Sequence, residues 1–331
     1  MSDEQQLTAE EIVQTIQTAR RQGDVPDLRN LQAPEVDLTE IDLRAVNLSE
    51  ANLTRSLLAK ANLMRVNLVG AKLQGIQLHA AKTHGANLEA VDLAETNLEG
   101  LDLGSVRLSK ANLKGANLQG ANLRWVNVDE ANLSEANLSQ ANLENASLRQ
   151  ANLGEADLSR ASMPGADLRQ AVLSRATLQR ANLAGVDLSD ADLRGADLSK
   201  ANLEGADLSG ASLTDANLEQ ANLSQANLNG IILNLAQFGR IDLSLATLRE
   251  ADLRGLDLTE ADLNRADLSD ANLEGASLTE AQIEQIRKIE GAIMPDGKKH
   301  PGKKKIKERR KPTAAGLAAS LARLRKDDPE T

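Results

Sequence analysis

Three histidines, His79, His84 and His300, are the only imidazoles in the chain. A metal site or a general base would have to be built from them or from carboxylates. Cysteine is absent, which excludes disulfides, thiolate ligands and thiol catalysis. His79 and His84 stand one five-residue block apart, in IQLHA and AKTHG. Carboxylate pairs such as Asp187 and Asp190 recur, and glycines such as Gly115 and Gly120 come singly rather than in a phosphate-cradling motif. What such groups can do depends on the elements that carry them, and here the carriers are nearly identical to one another.

Every fifth residue from Leu38 to Ile283 is Leu or a substitute for it. Two positions earlier stands Ala or a small aliphatic, and one position earlier Asn or Asp, as in VDLTE, IDLRA, VNLSE and ANLTR. A period of five is neither the 3.6 of a helix nor the 2 of a long strand. It fits a short extended side followed by a corner. Alternation along the side places the Leu and the residue two before it inward, and the Asn or Asp between them outward. The two residues after the Leu, mostly Ser, Thr, Gly, Glu, Arg or Lys, suit a solvated corner. Four blocks close one square coil. Coils stack into parallel sheets about 4.8 Å apart, and some twelve of them make a rod on the order of 60 Å long.

That geometry decides the chemistry. His79 and His84 fall on equivalent corners of adjacent faces and point in different directions, so no shared metal is expected. Asp187 and Asp190 read as a hydrated wall. An interior plugged by Leu and Ala offers no concave, dry site, so no catalytic residue, no cofactor and no metal is expected, and the chain reads as no enzyme.

The blocks ANLKG, ANLQG, ADLRG and ADLSK resemble the pentapeptide-repeat family, A(D/N)LXX, over about three quarters of the chain. The resemblance implies an all-β solenoid, a right-handed quadrilateral parallel β-helix. It implies no single function. Some members are similar to a DNA duplex in shape and charge and bind type II topoisomerases, and those resemble one another in frequent central Phe, of which this chain has only Phe238.

The ends depart from the pattern. Residues 1–25 read as an N-terminal capping helix, with Thr8 and Glu11 as a capping box, Ile12 and Ile16 on one face, and Gly23 and Pro26 as the stop. Residues 26–296 read as the β-helix, regular over 36–285. Residues 297–331 read as a basic linker and a short amphipathic helix carrying Leu317, Leu321 and Leu324. The acidic, polar start is no signal peptide, and no apolar run approaches the ~20 residues that span a bilayer. A soluble, cytoplasmic protein is expected.

With the interior closed, function must lie outside. The main reading is a scaffold that presents rigid walls to a protein partner. Its candidate contacts are the outward apolar residues Ile232, Leu235 and Leu245, with Trp125 elsewhere. A DNA-mimicking regulator of a topoisomerase or another DNA-binding enzyme is the alternative. Residues 186–285 hold 19 acidic against 6 basic residues; over those coils that is about one net charge per 1.8 Å, against ~1.7 Å in duplex DNA. Asp252, Asp257, Asp262 and Asp267 are its candidate residues. A third reading is nucleic-acid or anionic-lipid binding by the basic tail through Lys303, Lys304, Lys305, Arg309 and Arg310. An acid-free stretch between Glu50 and Glu89, with Arg55, Lys60, Arg65, Lys72 and Lys82, is either a basic docking belt or drift of surface charge. Capped ends are compatible with a monomer or an end-to-end homodimer.

Overall fold

The computed structural model describes residues 7–233 and 235–300. The chain divides into a unit of residues 1–300 and a unit of residues 301–331. The coils belong to the first unit.

Helix α1 (Ala9–Gln22) opens it. The Thr8 hydroxyl accepts from the Glu11 amide at 3.3 Å while the Glu11 carboxylate accepts from the Thr8 amide at 2.8 Å. Gly23 ends the helix at φ +80°, a left-handed turn that glycine adopts without a Cβ clash. Ile12 and Ile16 are buried against the first coil. They cover apolar side chains that would otherwise end in water.

The coils begin at once. Asp27 pairs with Asn47 and Gln32 with Asn52, so the degraded blocks PDLRN and LQAPE are full members of the stack. In LQAPE the large and small residues exchange places: Leu31 and Ala33 are both buried, and the enclosed volume is kept. Parallel bridges join residue i to residue i+20 along most of the stack. Since each side is five residues, four sides make one coil. Each corner is a tight turn. Leu31, for example, donates its amide to the Leu28 carbonyl at 3.2 Å. Except at Glu260, the fifth residue of a block takes φ between +54° and +62° at non-glycine corners from Asn30 to Asp270. An i to i+3 bond with positive φ at the third residue defines a type II turn.

One expectation is corrected in scale. Each side supplies a single bridging residue, so the walls are ladders of isolated bridges rather than sheets of extended strands. Turns take two residues of every five and leave no room for a longer pairing.

A second correction concerns the C-terminal end. The block AQIEQ matches the repeat in letters, yet Glu280–Gln285 form helix α2. Thr279 and Gln282 make a second capping box, with the Gln282 side chain accepting from the Thr279 amide at 2.7 Å. The Gln282 amide group also donates, at 2.7 Å each, to the Ala261 carbonyl, which a further coil would have used, and to the Leu258 carbonyl, which already accepts the Ala261 amide in its corner. Regular repeats therefore stop before α2, not at 285. The ladder resumes one residue late, pairing Asp267 with Lys288 and Asn272 with Ile293, and an antiparallel contact of Ile293 with Lys299 closes the unit.

The stack is parted in two places. Among the described residues, no backbone hydrogen bond passes between 76–85 and 96–105, although both segments bond normally to their outer neighbours. The same holds between 235–240 and 255–260. In both cases a Leu occupies a site that is usually Ala: Leu101 above Ala81, and Leu256 above Ala236. Ile76 below the first joint and Phe238 below the second add further bulk. Ala at that site lets neighbouring walls approach to bonding distance. A Leu there keeps them apart, because a packed interior does not compress.

Candidate functional site

The interior is a continuous aliphatic ladder. The inward Leu and Ala from Leu38 to Ala276 are almost fully shielded from water. One break in it is a void of about 10 Å³ lined by leucines between Leu48 and Leu103 and by Thr83, which stands where a Leu is usual. That space holds at most one water molecule. The Thr83 hydroxyl donates to the Asp102 carbonyl across the first joint.

On the outside, the Asn or Asp before each Leu has two jobs. Its Oδ1 accepts the amide two residues on, as Asn137 does from Ser139 at 3.0 Å, which starts the corner. Its side chain also bonds the equivalent residue one coil away: Asn112 to Asp92 at 3.0 Å, Asn117 to Asn97 at 3.1 Å, Asn222 to Asn202 at 3.0 Å. Where Arg follows in the DLR pattern, it forks back onto the Asp. Arg194 reaches Asp192 at 2.6 Å, and Arg254 reaches Asp252 at 2.6 Å.

Of the candidate contact residues, Trp125 is 60 % exposed, Leu235 78 % and Leu245 40 %. All three sit at left-handed corners, with φ +59°, +59° and +62°. Ile232 lies on the wall beside the Leu235 corner, between Ser212 and Asp252. Leu245 does not join them. It is half a coil further on, at the diagonally opposite corner, so Ile232, Leu235 and Leu245 form no single patch. Trp125 and Leu245 share one corner column instead, six coils or about 29 Å apart.

Asp252, Asp257, Asp262 and Asp267 each lie on a different wall, because successive blocks turn successive corners. Asp252 is neutralised by Arg254. Asp267 is only 1 % exposed and is ringed by Arg249 at 3.1 Å, Lys288 at 3.2 Å and Arg287 at 3.8 Å. Burial works to raise its pKa, and hydrogen bonds from Ser269, Lys288 and Arg249 more than offset this, holding it at about 2. Asp257 and Asp262 accept from the backbone at Thr259 and Asn264 and form no ion pair among the described residues.

The basic stretch is partly compensated too: Arg55 pairs with Glu35 at 3.5 Å and Lys60 with Glu40 at 2.9 Å. His79 borders a cleft of about 200 Å³ at the first parted joint, with Gln77, Asn97 and Glu99. His84 lies on the neighbouring side. No group of side chains suited to a metal is found among the described residues, and no described helix is long and apolar enough to cross a membrane. Lys303, Lys304, Lys305, Arg309 and Arg310 lie outside the described residues.

Two functional candidates, Arg20 and Arg44, escape a reading by period. Arg20 belongs to α1 and Arg44 to a DLR block, and only folding puts both beside Arg65. The available signal was Asp42 followed by Arg44, with Met64 and Arg65 twenty residues beyond.

The family model for pentapeptide repeats matches in overlapping windows running without a gap from 37–75 to 241–280. No curated protein matches the chain in sequence. Among solved structures, HetL, a pentapeptide repeat protein involved in heterocyst differentiation regulation from the cyanobacterium Nostoc sp. strain PCC 7120, is 30 % identical; the match covers 89 % of this chain and 100 % of HetL, with a TM-score of 0.30. QnrB1, a plasmid-mediated fluoroquinolone resistance protein, is 16 % identical over 77 % of this chain and 93 % of its own, also with a TM-score of 0.30. A pentapeptide repeat protein of the Arabidopsis thaliana thylakoid lumen is 30 % identical over 33 % of this chain and 68 % of its own, with a TM-score of 0.21.

Proposed function

This chain belongs to the pentapeptide-repeat family, and from that premise we propose that it is a non-enzymatic binding protein which holds a protein partner along one corner edge of its coils. In this reading the coils wind to the right, as the family resemblance implies. The observation that carries the proposal is the placement of Trp125. A bulky side chain at positive φ costs about 1–2 kcal/mol relative to glycine, and glycine fills the same corner at Gly165, Gly185 and Gly205. A side chain that is 60 % exposed recovers little of that cost by packing. Trp125 is therefore poorly explained by stability and well explained by contact with another molecule.

The rest of the edge supports the reading. At the fifth position of its corners, from Gly85 through Ser105, Trp125, Asn145, Gly165, Gly185, Gly205 and Gln225 to Leu245, the column has no charged residue; at the fourth position Arg124 and Glu144 neutralise one another at 2.9 Å and Glu204 is exposed. On a chain with a formal net charge of −10, such an edge is fit for close approach by a protein surface. Trp125 and Leu245 serve as anchors and the three glycines as a low-relief middle. The column is also symmetric about Gly185, so a second copy laid antiparallel would set Trp125 against Leu245. The test is affinity capture from the native host and sedimentation of the pure protein, each with Trp125→Gly and with Leu245→Ser. Loss of a captured protein or of a dimer, at unchanged or raised Tm, is the expected result. Capture and association that survive both changes would overturn the edge.

A duplex-mimicking regulator is the second reading, favoured by the charge of residues 186–285. Its weight rests on Asp257 and Asp262, since Asp252 and Asp267 are already paired with cations. It requires that inhibition of topoisomerase supercoiling be relieved by Asp257→Asn with Asp262→Asn. Absence of any inhibition at micromolar protein ends it.

A further inference from the structure

The groove where α1 meets the first coils gathers three guanidinium groups. It measures about 440 Å³ and is lined by Arg20, Arg44, Ala45, Met64 and Arg65. Two of these groups are locked. Arg44 forks onto Asp42, with Nε at 2.9 Å from Oδ1 and a terminal nitrogen at 2.8 Å from Oδ2. Arg20 reaches the same carboxylate at 3.2 Å and donates to the Arg44 carbonyl at 2.9 Å. Each guanidinium has five N–H donors in a rigid plane, so both keep donors free after these bonds. Arg65, at the corner one coil above Ala45, makes no ion pair among the described residues. With Asp42 counted, the groove keeps two positive charges in excess.

The surroundings do not cancel them. On this wall the next coils carry Asn62, Lys82 and His84, and the chain holds no acid between Glu50 and Glu89. Elsewhere on the coils an exposed Arg is commonly matched by a nearby carboxylate, as Arg124 is by Glu144 at 2.9 Å and Arg175 by Glu155 at 3.6 Å. Here one carboxylate serves two arginines and a third has none. Met64 gives the groove a half-buried apolar side that lowers competition from water.

We propose that this groove is an oxyanion site, and that the group it takes is phosphate. Three planar donor forks arriving from a helix and from two successive turns of one corner column suit an anion with several acceptor oxygens better than a single carboxylate. Pre-fixed guanidinium groups lose little freedom on binding, which is what separates a site from a solvated basic face. The groove continues the corner column of the partner edge, with Arg65 one coil before Gly85 and three coils before Trp125, but the inference rests on other residues: anion binding is read at Arg20, Arg44 and Arg65, and partner capture at Trp125 and Leu245, so either can fail alone.

The experiment is a titration of the full chain with inorganic pyrophosphate, followed through the arginine Nε–Hε NMR signals. These signals resolve the groove from the basic residues beyond 300. Saturable shifts at Arg20, Arg44 and Arg65 are expected. Arg65→Gln should weaken binding about tenfold, the loss of one charge-assisted hydrogen bond. Arg65 is exposed and outside the Asp42 network, so that variant folds. Arg254→Gln, a paired arginine on a distant coil, should leave the affinity unchanged. A peptide bearing one phosphoserine, titrated in parallel, assigns the phosphate to a free anion or to a protein according to which binds more tightly. No shift at the three arginines in millimolar pyrophosphate, or an affinity unaltered by Arg65→Gln, overturns the proposal.

Discussion

Asp267 shows how a single residue can decide whether the stack ends cleanly. After α2 the chain returns to the ladder one residue late, and its first outward residues are Arg287 and Lys288. Both aim at a carboxylate that the repeat places on the wall below. Asp267 holds them and Arg249 together while itself shielded from water. Its folded pKa of about 2 lies below the 3.8 of an unperturbed aspartate. A depressed carboxylate contributes stability that is full above about pH 4 and lost as pH falls toward 2, here on the order of 2 kcal/mol. Asp267→Asn leaves the three cations without their shared partner. Amide exchange at Arg287 and Ile293 should then quicken by about thirtyfold at neutral pH, which corresponds to about 2 kcal/mol. The acid-dependent part of the exchange between pH 4 and pH 2 should vanish in the variant. Unchanged exchange at both amides would show that α2 alone holds the end.

At the scale of the element, the same five letters hide two different outcomes. LDLGS and LDLTE fit the repeat as well as ADLRG does, yet their leading Leu residues part the walls. Leu101→Ala should let residues 97 and 102 regain their bonds to the coil below. Slowed amide exchange at Asn97 and Asp102 is the expected sign. Its net cost should stay below about 2 kcal/mol because new bonds offset lost burial. Leu103→Ala, at the central position of the same side, has no such compensation and should cost about 3 kcal/mol. Equal costs, with exchange unaltered, would mean that Leu101 is not the wedge. The alternation of inward and outward residues was legible because it follows from the pleat alone. The joints were not, because they depend on which residue lies twenty positions away. Helix α2 was legible in part: Thr279 followed by Gln282 is a capping signal, outvoted by a period that AQIEQ satisfies by coincidence. Trp125 and Leu245 were visible as outward apolar residues, but their shared corner appears only once four sides per coil are counted.

For the unit of residues 1–300 as a whole, the joints set how it comes apart. In a stacked repeat, stability is the sum of each coil and its two interfaces, so unfolding starts where an interface is weakest. An ordinary interface has backbone bonds on every wall. The first joint lacks them along 76–85 and keeps them at 72 with 92 and 87 with 107. The second lacks them along 235–240, where the Arg240–Glu260 pair at 3.6 Å is exposed and contributes little. At about 1 kcal/mol for each missing bond, coupling across either joint falls by several kcal/mol. The ladder should therefore behave as three cooperative blocks, with breaks near 94–104 and 252–260. Hydrogen exchange by mass spectrometry at rising denaturant reads this directly. Protection should be lost in three steps whose edges fall at those segments, with the block after 256 leaving early because it is the shortest. One concerted loss across all coils, or edges elsewhere, would mean that the aliphatic ladder transmits cooperativity without backbone bonds. With Leu101→Ala, the first break should disappear while the second remains, which ties the behaviour of the whole stack to one side chain.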